Sequence, residues 1–224
     1  MNKGGRVKQV VLLAILIAAI FSVSPAHSEL IYSSLGPGDS FTTTSALVVG
    51  TYEEGPPPLT LVATQWGFSF TPSIDATLDS IKFAAVYNNG INGLNVILMS
   101  DSAGVPGTAL EAFNFTDLFP TGTLYTATSL LHPVMNQATK YWVVLAPQDN
   151  GTFGWYEDDS KTGPLAARRD LLASNPDWYA VGALHPAYFA VEGTEGSVVP
   201  IPGAAWFLGS GLVGLVAIRR RFRK

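Results

Sequence analysis

Residues 78–87 read LDSIKFAAVY. From position 81 onward, every second side chain is apolar or aromatic, so Ile81, Phe83, Ala85 and Tyr87 share one face of an extended chain. This two-residue period is typical of a strand with one buried face, because a helix needs apolar residues at every third or fourth position. The stretch therefore predicts a half-buried β-strand.

Other short apolar segments follow the same pattern along the chain. Turn-forming residues separate them every eight to twelve positions, and no long segment between the termini has a helical period. This pattern predicts an antiparallel β-sandwich or jelly roll, with Phe83, Trp142, Val144 and Phe189 in its core. The predicted strands are 61–70, 78–87, 95–99, 112–115, 141–145, 152–156, 178–181 and 187–191, and Pro106-Gly107 is expected to set a hairpin turn.

Length and composition limit the class of protein. The chain has 224 residues, of which 47% are hydrophobic and 13% are charged, which suits one globular domain with short appendages. There is no cysteine, which excludes disulfides, thiolate metal ligands and a cysteine nucleophile. The histidines His27, His132 and His185 are too scattered to predict a zinc site.

Charge is sorted along the sequence. All 17 acidic residues lie between Glu29 and Glu195, where there are only five bases. The other eight bases lie in the first eight and the last six residues. An acidic body repels phosphates, so the sequence predicts that the body binds no nucleic acid. The two basic tips indicate processing or membrane segments at both ends.

Residues 1–28 have the form of a secretory signal peptide. A basic start is followed by the apolar stretch 10–21, and Pro25 precedes a small-residue cleavage site after Ser28. The alternative is an uncleaved anchor helix. Twelve apolar residues in a helix span only ~18 Å, which is short of a bilayer core, so we expect a signal helix that signal peptidase removes.

The C-terminal segment predicts a transmembrane helix. Residues 201–218 carry no charge and would reach ~27 Å as a helix, close to the thickness of a bilayer core. Trp206 lies where an interfacial anchor is expected. By the positive-inside rule the basic cluster stays in the cytoplasm and the body lies outside. The residues of this predicted membrane stop are Arg219, Arg220, Arg221, Arg223 and Lys224.

The whole tail resembles a PEP-CTERM sorting signal, which occurs in secreted proteins of Gram-negative, biofilm-forming bacteria. The resemblance is carried by Pro200, Ile201 and Pro202, a spacer, Trp206, the glycine-punctuated apolar segment and the arginine-rich end. Isoleucine replaces the usual glutamate, as in the VPLP-like variants of the family. The resemblance implies retention at the inner membrane and processing near the prolines by an exosortase.

The body resembles a choice-of-anchor R domain over residues 30–194. Such domains precede different surface-anchoring signals, and the resemblance implies a surface protein without known catalytic residues. The segments that carry it are 35–41 (LGPGDSF), 66–72 (WGFSFTP), 78–81 (LDSI), 98–107 (LMSDSAGVPG), 140–144 (KYWVV), 154–155 (GW) and 187–191 (AYFAV).

Three kinds of chemistry remain as candidates in the body. Aromatic rings on an exposed sheet can stack on sugars, and the candidates are Trp155, Tyr156, Trp178 and Tyr179; the alternative is that these rings fill the core. Asp149, Asn150, Asp158 and Asp159 supply oxygens that Ca²⁺ prefers, although a solvated loop is the simpler interpretation. A hydrolase would need a nucleophile elbow or paired carboxylates, and no local signature predicts either, so we assign no catalytic residue and no metal ligand.

The sequence thus predicts an exported all-β protein with three parts: a signal peptide at 1–28, an acidic β-sandwich at 29–196 and a sorting signal at 197–224. The expected function is a non-catalytic protein of the envelope or of the exopolysaccharide matrix of a biofilm, processed by an exosortase. Its expected destination is the cell surface or the extracellular matrix, after a stage in the inner membrane with the body outside the cytoplasm. The alternatives are a carbohydrate-binding module or lectin and, as a weaker one, a secreted hydrolase. The expected partners are signal peptidase, an exosortase, the inner membrane and extracellular polysaccharide, and no cofactor other than Ca²⁺ is considered.

Overall fold

The stretch 78–87 lies within the longest strand of a computed structural model that describes residues 28–195. The regular secondary structure of the described chain is β-strand, apart from a short 3₁₀ turn at Pro37–Asp39. Its strands are β1 (Ser28–Ser33), β2 (Ala46–Glu54), β3 (Thr60–Phe70), β4 (Ala76–Asn89), β5 (Gly93–Ser102), β6 (Val105–Thr116), β7 (Thr123–Thr128), β8 (Val134–Met135), β9 (Tyr141–Pro147), β10 (Thr152–Tyr156), β11 (Leu165–Asp170), β12 (Tyr179–Ala183) and β13 (Phe189–Glu195).

Strand β4 is the element that the rest of the sheet shares. Along one edge it pairs first with β13, from Ala76 to Phe83, and then with β10, from Ala85 to Asn89. Along the other edge it pairs with β8 and then with β7. Its fourteen residues therefore make backbone hydrogen bonds with four different strands.

From β4 the sheet extends in both directions, and every pairing is antiparallel. The hydrogen-bonded order is β1-β13-β4-β10-β2-β3-β9-β5-β6. Strand β11 pairs with the edge of β3 opposite to the one that β2 and then β9 occupy, because Thr64 is paired with Gly50 of β2 and also with Asp170 of β11. Strand β12 pairs with β11 alone.

The predicted architecture is therefore wrong in part. The prediction of an all-β antiparallel body is confirmed, but the strands form one connected sheet that curls around its core instead of the two separate sheets of a sandwich. Among the described residues, no helix has the length and hydropathy required to span a membrane. The expected signal helix at 1–28 lies outside the described residues except for Ser28, which begins β1, and the expected transmembrane helix at 201–218 lies wholly outside them. The described body is one curled sheet and not the predicted sandwich.

The inner face of the curled sheet carries the main core. The alternation in β4 is confirmed, since Ile81, Phe83 and Ala85 are fully buried there and Tyr87 packs against them. Phe189 of β13 lies directly opposite Phe83 and is also fully buried. The predicted core residues Trp142 and Val144 are buried as well, but on the other face of β9.

A second apolar layer covers the outer face of β9 and explains why this strand is buried on both sides. Trp142, Val144 and Ala146 pack there with Ala167 of β11. Gly67 of β3 makes room for them, because an added Cβ would lie 3.1 Å from Val144 Cγ2 and 3.2 Å from Pro106 Cγ. The indole Nε1 of Trp142 donates to Asp101 Oδ1 at 2.8 Å, so its one polar atom is satisfied.

A β-bulge at Asp79 changes which residues of β4 face the core. Ser80 lies opposite Glu192 and Leu78 lies opposite Gly193, which leaves Asp79 as the extra residue. Leu78 and Ile81 therefore both face the core although they are three positions apart. The bulge also increases the local twist, which favours the curl of the sheet.

The curled sheet is closed by side chains where β6 approaches β7. In the described residues β6 pairs only with β5, and β7 pairs only with β4. Phe115 of β6 contacts Phe83 of β4 and Tyr125 of β7, with ring centroids 5.1 and 6.0 Å apart. We call this junction between β6 and β7 the seam.

The eight predicted strands all overlap observed ones, whereas the predicted Pro106-Gly107 turn is wrong. The β5–β6 hairpin turns at Ala103 and Gly104, which both have positive φ, and Ser102 pairs with Val105 across the turn. Asp101 Oδ2 accepts a hydrogen bond from Gly104 N at 3.1 Å and so fixes this turn. Pro106 lies inside β6, where its ring packs over Gly67.

Candidate functional site

Arg168 lies at the centre of a row of residues that crosses three strands. In the ladder it is directly opposite Trp66 of β3 on one side and Tyr179 of β12 on the other. Directly paired residues point to the same face of a sheet, so the two rings flank the arginine side chain. The guanidinium carbon lies 5.7 Å from the centre of the Trp66 ring, which is within cation–π distance.

Glu54 of β2, on the other side of β3, forms an ion pair with the arginine. Nη1 of Arg168 donates to Oε1 of Glu54 at 3.1 Å, and Nη2 donates to Oε2 at 2.5 Å. Two parallel bonds of this kind fix the orientation of a guanidinium as well as its position. The Arg168 side chain is largely buried while that of Glu54 is exposed, so the pair lies at the boundary between core and solvent.

The pair is ionised at neutral pH. The hydrogen bond from Arg168 lowers the pKa of Glu54 below its ordinary value, and the same bond raises the pKa of Arg168, against the effect of burial. Burial raises the pKa of neighbouring Tyr52, with Arg168 opposing the shift, so the phenol keeps its proton. The site therefore holds the Arg168–Glu54 ion pair beside the neutral phenol of Tyr52.

Nε of Arg168 has no hydrogen-bond partner among residues 28–195, although it is buried. An unpartnered buried donor costs about 1–3 kcal/mol, so folded proteins contain few of them. In this protein the unpartnered donor belongs to a charged guanidinium that lies between two aromatic rings, Trp66 and Tyr179.

Tyr52, Glu54, Trp66 and Tyr179 surround Arg168, and we call these five residues the arginine platform. It continues the inner face of the sheet beyond the covered core: Trp66 is buried at its inner border and the Tyr179 side chain is 49% exposed at its outer border. Exposed phenol faces beside a fixed ion pair combine apolar stacking area with hydrogen-bonding groups. Sugars present the same combination, with apolar C–H faces and hydroxyl edges.

The structure separates the four rings that the sequence proposed for sugar stacking. Trp155 is fully buried, packs edge-on against Phe68 at 5.2 Å, and donates from Nε1 to the carbonyl of Tyr188 at 3.3 Å. Its candidacy as a stacking residue is therefore corrected, because its ring is part of the core. Tyr156 is half-buried and packs against Phe41, at 5.8 Å between ring centroids.

Trp178 and Tyr179 lie on different surfaces. Trp178 is half-buried and packs against the second apolar layer with Trp142 and Ala167. Tyr179 belongs to the arginine platform. One of the four proposed rings, Tyr179, is thus exposed beside polar groups that can orient a ligand.

The proposed calcium ligands are not brought together. Asp149 and Asn150 precede β10, whereas Asp158 and Asp159 follow it, so about 15 Å of extended chain separates the two pairs. Asp158 is already committed to Lys161 Nζ, at 2.6 Å, and to Ser160. Within residues 28–195, no three histidine or carboxylate side chains are grouped as metal ligands would be.

A serine, a histidine and a glutamate do meet at the seam, but in a structural arrangement. Ser129 Oγ donates directly to Glu111 Oε2 at 2.6 Å. His132 reaches Ser129 through its backbone N–H, while its imidazole Nδ1 lies 2.9 Å from the carbonyl of Leu78. The imidazole therefore does not serve Ser129 as a base. Glu111 also accepts from the backbone N–H groups of Leu130 and Leu131, and so ties the end of β7 to β6.

Apart from Tyr179, sequence reasoning does not find the arginine platform, because neither 46–54 nor 165–170 is among the predicted strands. One signal was available. Arg168 and Arg169 are the only arginines in the acidic body, and a rare cation among many acids indicates a specific partner.

The chain matches no model of a known protein family, and no curated protein matches it. The sorting motif Pro200, Ile201 and Pro202 and the basic cluster at 219–224 lie outside the described residues.

Glu111→Gln should destabilise the protein in a pH-dependent way. Burial raises the pKa of Glu111, but the hydrogen bonds from Ser129, Leu130 and Leu131 outweigh it and bring the pKa below the ordinary 4.5. A lowered pKa stabilises the fold above the unfolded value and loses this effect as the pH falls through the folded value. We expect the variant to lose about 1.5–3 kcal/mol at pH 7, the usual contribution of hydrogen bonds to a charged group, and less at pH 3.

Urea unfolding of both proteins at pH 7 and pH 3 measures the difference. Glu53→Gln is the matched control, because Glu53 is exposed and its replacement should change the free energy of unfolding by less than about 0.5 kcal/mol at either pH. A Glu111→Gln deficit that stays constant between pH 7 and pH 3 would contradict the assignment of an ionised, hydrogen-bonded carboxylate.

Proposed function

We propose that this chain is a non-catalytic protein of the envelope or exopolysaccharide matrix of a Gram-negative bacterium, and that an exosortase processes its tail. The resemblance of Pro200-Ile201-Pro202 and the following apolar and basic segments to a PEP-CTERM signal carries the proposal. In this proposal signal peptidase removes the N-terminal segment. The precursor is held at the inner membrane with its acidic body outside the cytoplasm, and the body then moves to the cell surface or matrix.

The arrangement of the body supports release by a single cut in the tail. The last described strand, β13, ends at Glu195, four residues before Val199 and five before Pro200. It is paired with β4 along its whole length and with β1 from Ala190 to Thr194. A cut near Pro200 and Pro202 therefore removes none of the strands within residues 28–195 and exposes no new edge of that sheet.

The arginine platform favours carbohydrate binding as a second candidate function. The observation that supports it is the row Trp66, Arg168 and Tyr179, which places an exposed ring beside a guanidinium that Glu54 fixes in orientation. A sugar ring stacked on Tyr179 would bring its hydroxyls to the edge of this ion pair. Extracellular polysaccharide is the ligand class that matches both this surface and the proposed destination.

Replacing Pro200 and Pro202 by alanine should block processing without releasing the protein. Proline fixes φ and disfavours helix in the preceding residue, so the segment stays extended, which is the form that a processing enzyme accepts. In a strain carrying the matching exosortase, the wild type should lose residues 219–224, as measured by intact mass, and the variant should keep them and stay in the membrane fraction. The control variant replaces Pro120 and Pro176, which lie in exposed loops of the body.

A wild-type protein that keeps residues 219–224 in that strain would show that the tail is a permanent anchor and would contradict the sorting proposal. Normal processing of the double proline variant would remove the proposed role of the motif.

Tyr179→Ala should weaken binding of the purified full-length protein to immobilised bacterial exopolysaccharide by about tenfold, which corresponds to about 1.4 kcal/mol. The free energy of unfolding should change little, because the ring is half exposed. Phe119→Ala is the matched control: this ring is 59% exposed but lies in the loop after β6, outside the platform. Equal losses for both variants, or no loss for Tyr179→Ala, would contradict carbohydrate binding by the platform.

A further inference from the structure

The loop between β7 and β8 presents an apolar tip to solvent. Leu130 is 84% exposed and Leu131 is 70% exposed, and Val134 at the start of β8 is 63% exposed. We call these three residues the leucine tip. Single exposed apolar side chains are common on protein surfaces, but three within five positions form a patch that needs an explanation.

The leucine tip is held in place by the buried carboxylate of Glu111. This carboxylate accepts hydrogen bonds from Leu130 N at 2.7 Å, Leu131 N at 3.1 Å and Ser129 Oγ at 2.6 Å. On the other side, the carbonyl of Pro133 accepts from Leu78 N at 3.0 Å. The exposed leucines therefore belong to a fixed loop, and burying them would require little further ordering of its backbone.

The tip lies at the end of the sheet where the described chain leaves it. Thr77 of β4 is paired with Val134 on one edge and with Thr194 on the other. Neighbouring strands are about 4.8 Å apart, so the base of the tip is about 10 Å from the last residues of β13. Asp79 links the two sides further, because its carbonyl accepts from Ser129 N and its Oδ2 accepts from Thr194 Oγ1.

The chain length after β13 limits how far the apolar tail can be from the tip. Five residues, 196–200, separate Glu195 from the uncharged segment 201–218. Even a fully extended chain covers only about 20 Å over this distance. Any surface that takes up the beginning of residues 201–218 is therefore within about 20 Å of the end of the sheet that carries Leu130 and Leu131.

We propose that the leucine tip inserts into the lipid surface of the membrane that holds the tail of the precursor. This inference rests on the proposed function, because it needs the precursor to be at a membrane. The three side chains of the tip are exposed, aliphatic and uncharged, and the body that carries them is acidic, so they match burial in the acyl region of a bilayer better than charge attraction to headgroups. Insertion would orient the body and hold the segment 196–202 along the membrane surface, where an exosortase has access to it.

The absence of cysteine from the chain permits a direct test with single-cysteine probes. Full-length L131C is labelled with the environment-sensitive fluorophore NBD and reconstituted into vesicles of phosphatidylethanolamine and phosphatidylglycerol. I91C is the matched control: Ile91 is also an exposed aliphatic residue, at 54%, but it follows the opposite end of β4, about 40 Å along the strand from Thr77.

We expect the L131C probe to emit at shorter wavelength when the protein is in vesicles than when it is in urea without detergent. Doxyl-labelled lipids should quench this emission. The I91C probe should be quenched by aqueous iodide and not by doxyl lipids. If the protein floats with the vesicles but both probes respond only to iodide, the tip proposal is overturned while membrane retention of the tail stands.

Two other outcomes would also overturn the proposal. A short-wavelength emission at L131C without doxyl quenching means that the tip is buried against a second protein molecule and not in lipid. Failure of the labelled full-length protein to float with the vesicles would overturn both the tip and the membrane-held precursor of the proposed function.

Discussion

Backbone hydrogen bonding along both edges of β4 is the constraint on which the rest of the structure depends. A strand of fourteen residues satisfies its peptide groups here by pairing with β13 and β10 on one edge and with β8 and β7 on the other. Because unpaired buried peptide groups are costly, β4 fixes the positions of four strands at once. Strands β1 and β13, strands β7 and β8, and the run of strands from β10 to β6 are therefore parts of one hydrogen-bonded unit and not independent layers.

The two surfaces of functional interest follow from this arrangement. The bulge at Asp79 sits where β4 passes between the loop 129–133 and the end of β13, so the leucine tip and the exit of the chain come together. The arginine platform lies on another part of the sheet, where β3 is paired with β2 and β9 along one edge and with β11 along the other. Glu111 closes the seam by side-chain hydrogen bonds where no strand pairing does so.

The sequence predicted those strands whose burial produces a simple pattern. Alternation identified β4, β9 and β10, and it placed Phe83 and Phe189 in the core correctly. Strands β2 and β11 were missed because they carry Glu53-Glu54 and Arg168-Arg169-Asp170, and charged residues only suit a strand once Arg168 and Glu54 are known to pair. Trp155 could not be assigned to a face of the sheet without the register of β10. The connection of the other strands through β4 depends on long-range pairing, which local sequence does not encode.

Native-state hydrogen exchange measures most directly whether β4 joins the sheet into one unit. If β4 joins the sheet into one unit, the slowest amides of β3, β4, β9 and β13 exchange only through global unfolding, with one common free energy that equals the value from denaturant unfolding. If the amides of β13 and β7 exchanged with a clearly lower free energy than those of β3 and β9, the two halves would open separately. That result would contradict the central role assigned to the shared strand.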